Sequence, residues 1–163
     1  MSDDGAPAVV AYDGSEEARA AVQTAARLLA PRRPLLIATV WEAGMAALVL
    51  SPPGADGMGM TSMPADPAAV VALDRAQADH ASAIAEDGAQ IARELGAVAE
   101  AVPLVDEADP AATLIALADE RDAAAIVVGS RGLGGFKARM HGSTTRKLMQ
   151  GTHRPVLVVR LPG

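Results

Sequence analysis

Five short apolar runs recur along the chain, and the second, PLLIATV at residues 34–40, does not alternate apolar with polar residues. Such runs are typical of strands that are covered on both faces. Stretches with helical spacing and long loops separate them, and this alternation favours a parallel sheet with helices on both faces. The predicted strands span residues 7–12, 34–40, 100–105, 123–128 and 155–160.

Capping signals predict four helices between these strands. Asp or Ser at an N-cap, proline at the first helical position and glycine beyond the last turn mark the helix ends. The predicted helices begin at or just after Ser15, Asp66, Asp109 and Ser143, and they end near Pro31, Leu95, Asp122 and Gln150. The sequence therefore predicts a doubly wound α/β protein. Such proteins bind ligands beyond the carboxyl ends of the strands, where the winding reverses.

The chain has 163 residues with neither an internal repeat nor a linker, so we expect one domain over residues 1–163. Residues 1–6 are expected to form a short tail. Residues 42–67, rich in glycine, proline and methionine, predict a flexible loop, because long uninterrupted loops are uncommon in compact domains. The alternative is that the methionines cover a ligand or a partner, since methionine adapts to irregular apolar surfaces.

Composition excludes several classes of chemistry. The sequence has no cysteine, which rules out disulfides, thiolate zinc sites, iron–sulfur clusters and cysteine nucleophiles. His80, His141 and His153 are scattered and indicate neither a metal site nor a catalytic triad. No apolar run approaches the ~20 residues of a membrane span, and the acidic N-terminus does not resemble a secretory signal. We therefore expect a cytoplasmic protein that does not enter a membrane.

The charges are distributed unevenly along the chain. All 20 acidic residues lie at or before Asp122, whereas the segment from Ala123 to Gly163 holds seven basic residues and no acidic one. This asymmetry indicates an anionic partner for the C-terminal segment, with internal charge balance or a self-association surface as the alternative. Nucleic acid is not expected, because the basic segment lacks the interleaved aromatic residues of a base-stacking surface.

A glycine-rich segment follows the fourth predicted strand and leads into the last helix, with the sequences GSRG at 129–132 and GSTT at 142–145. Glycines let a backbone approach a ligand closely, and a helix start offers free N–H groups and the positive end of a dipole to an anion. Arg131 and the hydroxyls of Ser143 and Thr144 add donors. The alternatives are turn geometry for the glycines and an ordinary N-cap for Ser143. The spacing matches neither a P-loop nor a dinucleotide-binding fingerprint.

Asp13 ends the first predicted strand, which neighbours the fourth strand in a doubly wound sheet. Its carboxylate suits a ribose hydroxyl or an adenine amino group, and the alternative is an aspartate that forms a turn before Gly14. Tyr12, Trp41 and Phe136 are the three aromatic residues, and each falls at or after the carboxyl end of a predicted strand. They are candidates either for contact with a base or for packing under loops.

These residues resemble the universal stress protein family. Gly129, two residues, Gly132, nine residues, Gly142 and Ser143 match the family pattern G-x2-G-x9-G-[ST] in full. The Asp-Gly-Ser sequence at 13–15 and the closing strand at 155–159 are similar to the family as well. The likeness spans residues 7–160.

The resemblance implies a five-stranded sheet in the order 3-2-1-4-5, of the adenine nucleotide alpha hydrolase-like type, and a homodimer paired through residues 155–160. It also implies binding of ATP, alone or with Mg²⁺. By position, Asp13 is expected to contact adenosine, the backbone near Val40 the adenine edge, and the glycine segment the ribose and phosphates. The expected ATP-binding residues are Ala11, Tyr12, Asp13, Ser15, Val40, Gly129, Arg131, Gly132, Gly142, Ser143 and Thr144.

Three functions follow from these observations. The first is a binding or regulatory module of the stress response, in which ATP biases a conformation or an assembly and hydrolysis is slow or absent. The sequence has no evident base to orient an attacking water, which favours this function. The second is an enzyme, either a weak ATPase or a nucleotide hydrolase of related architecture. The third is a nucleotide-free module for dimerisation or partner binding.

Overall fold

The computed structural model describes residues 5–30, 32–43, 66–106, 109–130 and 143–161. Within these ranges strands and helices alternate as the sequence predicts. The elements are β1 (Ala8–Ala11), α1 (Glu16–Leu29), β2 (Leu35–Glu42), α2 (Pro67–Glu94), β3 (Ala99–Asp106), α3 (Pro110–Glu120), β4 (Ala125–Gly129), α4 (Ser143–Gly151) and β5 (Val156–Val159).

The five strands form one parallel sheet in the order β3-β2-β1-β4-β5, which confirms the expected topology. β1 lies at the centre, where Val10 pairs with Ile37 of β2 and with Val127 of β4. The chain moves outward from β1 to β2 and β3, and then crosses back to β4 and β5. The carboxyl ends of β1 and β4 therefore flank the point at which the winding reverses, and this point is where such sheets bind ligands.

Two apolar cores cover the two faces of the sheet. Val10 belongs to the core under α1 and α2, together with Val22 of α1. Val9 belongs to the opposite core under α3 and α4, together with Leu114 of α3. Because successive strand side chains point to opposite faces, a central strand between two helix layers has to be apolar at every position. This requirement explains the lack of alternation in β1.

The helix starts agree with the capping signals. The side chain of Asp66 accepts a hydrogen bond from the backbone N–H of Ala68 at 3.0 Å, one residue beyond Pro67. Asp109 likewise accepts from the N–H groups of Ala111 and Ala112 at the start of α3. These bonds satisfy N–H groups that have no partner within the helix, so each cap stabilises its helix by about 1 kcal/mol.

The strands differ from their predicted bounds by one or two residues at their ends, and α2 begins at Pro67 as expected. Glu42 is the last residue of β2 and Pro67 the first of α2, so both ends of the predicted loop belong to regular elements. Residues 44–65 and 1–4 lie outside the described residues, and the flexibility of the loop remains a prediction. Among the described helices, none is long and apolar enough to cross a membrane.

Candidate functional site

A tight turn at the carboxyl end of β1 holds Asp13 at the edge of the sheet. One carboxylate oxygen of Asp13 (Oδ1) accepts the backbone N–H of Ser15 at 2.9 Å. Gly14 between them has a φ of +82°, which favours glycine. Ser15 is in turn the N-cap of α1, where its Oγ accepts the N–H of Ala18 at 3.2 Å. Asp13 thus forms the turn before Gly14, as the alternative interpretation of this aspartate expected, and it lies partly buried at the reversal point.

Tyr12, directly before Asp13, does not present its ring to this edge. The side chain is fully buried, and its hydroxyl donates to Oδ2 of Asp87 on α2 at 2.5 Å. Burial, together with the neighbouring Asp87 carboxylate, raises the pKa of Tyr12 to about 12. Of the two interpretations of this aromatic residue, packing describes its side chain, although it packs beneath helix α2 and not under a loop.

The main chain of Tyr12 joins β1 to β2. Its N–H donates to the carbonyl of Ala38 at 2.9 Å, and its own carbonyl accepts the Thr39 hydroxyl at 2.9 Å. Thr39 is buried, so its hydroxyl requires such a partner. Tyr12 therefore contributes to the site by fixing the residues around it.

Gly129 ends β4 beneath the first turn of α1. A Cβ at this position would lie 2.7 Å from the carbonyl carbon of Glu17 and 2.8 Å from its oxygen. The glycine is therefore required by the close packing of α1 on β4. This packing brings the start of α1, and with it the Asp13 turn, next to the carboxyl end of β4. Sequence reasoning assigned Gly129 to close approach of a ligand and missed this contact.

Ala11 and Val40 lie near the carboxyl ends of β1 and β2, at the same edge of the sheet. Ala11 is almost fully buried, and it pairs with Ala38 of β2. Val40 pairs with Leu104 of β3 and packs on the α3 and α4 side of the sheet. Its side chain is thus directed into the fold, and contact between an adenine and the backbone near Val40 remains a prediction.

Helix α4 begins at Ser143, with the partly exposed Thr144 in its first turn. Leu148 is fully buried in the core shared with α3, which fixes the helix against the sheet. Because β4 and β5 run parallel, the connecting helix runs opposite to them and starts at the carboxyl edge. The first turn therefore brings N–H groups and the positive end of its dipole to the edge that also carries Asp13.

Three predicted site residues, Arg131, Gly132 and Gly142, lie outside the described residues, as does Phe136. Their roles remain predictions. Trp41 is the last but one residue of β2, paired with Val105, and therefore belongs to the strand.

Part of the C-terminal basic excess is used in ion pairs within the chain. Arg154, just before β5, donates to Asp119 at 2.9 Å, to Asp122 at 3.2 Å and to the carbonyl of Ala123. Asp119 in particular holds the pKa of Arg154 above its usual value. For this residue, internal charge balance is the correct interpretation of the asymmetry.

A second pair links the start of α3 to α4. The Lys147 ammonium lies 3.4 Å from Oδ2 of Asp109. The backbone N–H of Ala112, then that of Ala111 and the Lys147 ammonium, hold the pKa of Asp109 below its usual value. Within the described ranges, no group of three or more histidines and acids is arranged to hold a metal ion.

Sequence reasoning did not find the partner of Tyr12. The available signal was Gly88 on the apolar face of α2, because a Cβ there would lie 2.7 Å from both Cδ1 of Tyr12 and Cγ2 of Ile37. A glycine within a long helix indicates that something bulky lies against it. The identity of that group required the tertiary structure.

The fold and this edge together define a class: doubly wound α/β proteins with a ligand site at the switch point of a 3-2-1-4-5 sheet. The model of the universal stress protein family matches residues 7–160. The chain therefore belongs to the universal stress protein family, and its fold is of the adenine nucleotide alpha hydrolase-like type.

Solved structures of this family resemble the chain over nearly its whole length. A universal stress protein from Archaeoglobus fulgidus is 25% identical, with 94% of this chain and 92% of that chain covered and a TM-score of 0.62. A universal stress protein in complex with cAMP is 26% identical, with 94% of each chain covered and a TM-score of 0.59. The Archaeoglobus fulgidus protein in complex with dAMP is 23% identical, covers 94% and 96%, and has a TM-score of 0.60. No curated protein sequence matches the chain.

Proposed function

We propose that this chain binds an adenine nucleotide, with ATP as the main ligand, at the carboxyl edge between β1 and β4. The observation that carries the proposal is that a carboxylate and a helix N-terminus stand at the same edge. Asp13 offers acceptors suited to the nucleoside, and the first turn of α4 offers donors suited to phosphate. Complexes of family members with cAMP and dAMP support adenine nucleotides as the ligand class.

The proposed roles divide between the two ends of the nucleotide. Asp13 accepts hydrogen bonds from the adenosine moiety, and the backbone near Val40 faces the adenine edge. Ser143 and Thr144 bind phosphate together with the free N–H groups of α4. The residues proposed to shape the pocket or approach ribose and phosphate are Ala11, Tyr12, Ser15, Gly129, Arg131, Gly132 and Gly142.

Any Mg²⁺ in this account arrives with the nucleotide. Mg²⁺ sites of this kind use one or two carboxylates and the substrate's own phosphates.

The proposed biological role is that of a regulatory binding module in the stress response, acting in the cytoplasm as a homodimer. β5 supports the dimer, because it is an edge strand whose four residues, Val156–Val159, are each partly exposed. An edge strand offers unpaired backbone groups that a second chain can pair with. The proposed contact covers residues 155–160.

Titration of the purified protein with ATP by calorimetry tests the proposal. Asp13→Asn retains an oxygen for the Ser15 N–H but loses the charge, and we expect it to weaken binding about 10-fold, the cost of a charged hydrogen bond. Asp122→Asn is the matched control, because Asp122 lies in the turn before β4, at the opposite edge of the sheet. Equal loss in both variants would contradict the assignment of Asp13.

A further inference from the structure

We propose that Tyr12 and Asp87 form a positioning pair that ties helix α2 to the nucleoside end of the candidate site. This inference rests on the proposed nucleotide binding and extends it to residues that do not touch the ligand.

Three elements meet at this pair. The Tyr12 hydroxyl, carried by β1, donates to Oδ2 of Asp87 on α2 at 2.5 Å. The same oxygen lies 3.4 Å from Nη2 of Arg19 on α1. The tyrosine is fully buried, whereas the side chains of Asp87 and Arg19 are 55% and 48% exposed. The acceptor for a buried hydroxyl is thus supplied from the surface, by a helix outside the sheet.

Helix α2 is shaped to receive the ring. A Cβ on Gly88 would lie 2.7 Å from Cδ1 and 2.9 Å from Cγ of Tyr12. The helix therefore packs directly against the ring, and the hydroxyl bond holds the outer end of the ring against Asp87 of the same helix. A tightly packed ring passes any displacement to its own main chain, since protein interiors have little free volume.

The main chain of Tyr12 lies next to both residues that we assign to the nucleoside. Asp13 follows it directly in the chain. The carbonyl of Tyr12 accepts a hydrogen bond from the hydroxyl of Thr39, and Val40 follows Thr39 in the chain. A shift at Tyr12 therefore moves the Asp13 carboxylate and the β2 backbone together, whereas the phosphate end at α4 belongs to the opposite layer.

The test compares ATP and adenosine affinities in four variants. Tyr12→Phe keeps the ring and loses the hydroxyl, and Asp87→Ala loses the acceptor. We expect each to weaken ATP and adenosine by the same factor, about 3- to 10-fold, as befits a hydrogen bond that acts at the nucleoside end. Asp87→Asn keeps an acceptor oxygen, and we expect it to bind within about twofold of wild type. Glu86→Ala is the control, because Glu86 neighbours Asp87 on α2 but pairs with Arg93. We expect this variant to leave both affinities unchanged.

A spectroscopic signal separates positioning from simple stabilisation. Tyr12 is the single tyrosine of the chain, so ¹³Cζ-labelled tyrosine gives one NMR resonance. Coupling between two sites is reciprocal, so nucleotide has to alter the Tyr12–Asp87 bond if that bond alters nucleotide binding. We expect saturating ATP to shift the resonance in wild type and to shift it much less in Asp87→Ala.

Folded Tyr12→Phe and Asp87→Ala proteins that bind both ligands as wild type does would overturn the inference and leave the proposed function intact. Loss of ATP affinity alone, with adenosine unchanged, would also overturn it. A wild-type protein that binds neither ligand would contradict the proposed function itself, and with it this inference.

Discussion

Gly129 lies directly against the main chain of Glu17, so that a Cβ on the glycine would come within 2.7 Å of the Glu17 carbonyl carbon. This contact fixes the spacing between the start of α1 and the end of β4. Both sides of the switch point depend on that spacing, because α1 begins directly after the Asp13 turn.

Gly129→Ala is expected to lower the free energy of unfolding by about 1–3 kcal/mol, as overpacking against a rigid backbone does. Gly151→Ala is the matched control, since its Cβ would meet the tip of the Ile115 side chain at 3.0 Å, and a side-chain tip moves easily. We expect the control to stay within about 1 kcal/mol of wild type. Urea unfolding of the three proteins measures both values, and equal stabilities would contradict the contact.

The buried hydroxyl of Tyr12 predicts a loss of stability at alkaline pH. The pKa of Tyr12 is raised from 10.0 to about 12 in the folded protein, so the unfolded chain releases this proton first. The stabilisation that Tyr12 gains from this pKa difference is fully present below pH 10. It declines as the pH rises toward 12, and the free energy of unfolding then falls by at most about 3 kcal/mol. Tyr12→Phe lacks the titrating group.

Unfolding free energies of wild type and Tyr12→Phe between pH 9 and 11.5 measure this effect. As the pH rises over this range, we expect the unfolding free energy of wild type to fall relative to that of Tyr12→Phe. Parallel pH profiles would show that Tyr12 titrates alike in the folded and unfolded chains.

Arg154 is expected to stabilise the junction of α3, β4 and β5. It joins Asp119, Asp122 and the Ala123 carbonyl, and its side chain is only 22% exposed. Arg154→Ala should cost about 1–2 kcal/mol, because it leaves the carbonyl without its charged donor. Arg121→Ala, which removes a more exposed arginine and its pair with Glu100, should cost about 1 kcal/mol or less. Thermal unfolding compares the two, and a larger loss for Arg121→Ala would contradict the ranking.

The basic residues of the glycine segment are expected to distinguish ATP from adenosine. Arg131 and Lys137 lie between Gly129 and Gly142, and both are proposed charge partners for phosphate. Arg131→Ala or Lys137→Ala should therefore weaken ATP binding several-fold more than adenosine binding. Calorimetric titration of both ligands gives the ratio. Equal affinities of wild type for ATP and adenosine would exclude a phosphate site here.

Much of the fold was predictable because its signals are local. Asp66 and Asp109 stand before prolines, and both cap the helices that were expected to follow. The apolar run around Val9 and Val10 lacks alternation because each of its faces meets a helix layer. The strand order, in contrast, came from the family resemblance, since the apolar pattern of a strand does not specify its neighbour.

The interior of the site was less predictable because its contacts join distant parts of the chain. The sequence alone leaves Tyr12 as either a base contact or a packing residue. The choice depends on α2, which brings Asp87 to the Tyr12 hydroxyl. Gly129 was predicted to let a ligand approach closely, and the structure adds that α1 packs directly against this glycine. In both cases the deciding neighbour is a helix whose position depends on the tertiary structure.

Binding of an adenine nucleotide at the edge between β1 and β4 is best tested on the wild-type protein. Mass spectrometry first identifies any small molecules that are released when the purified protein is denatured, and calorimetry then measures the titration with ATP. We expect either co-purified adenine nucleotide or saturable binding of one ATP per chain in the micromolar range. An empty protein that shows no binding up to millimolar ATP would rule out this site as a nucleotide-binding site.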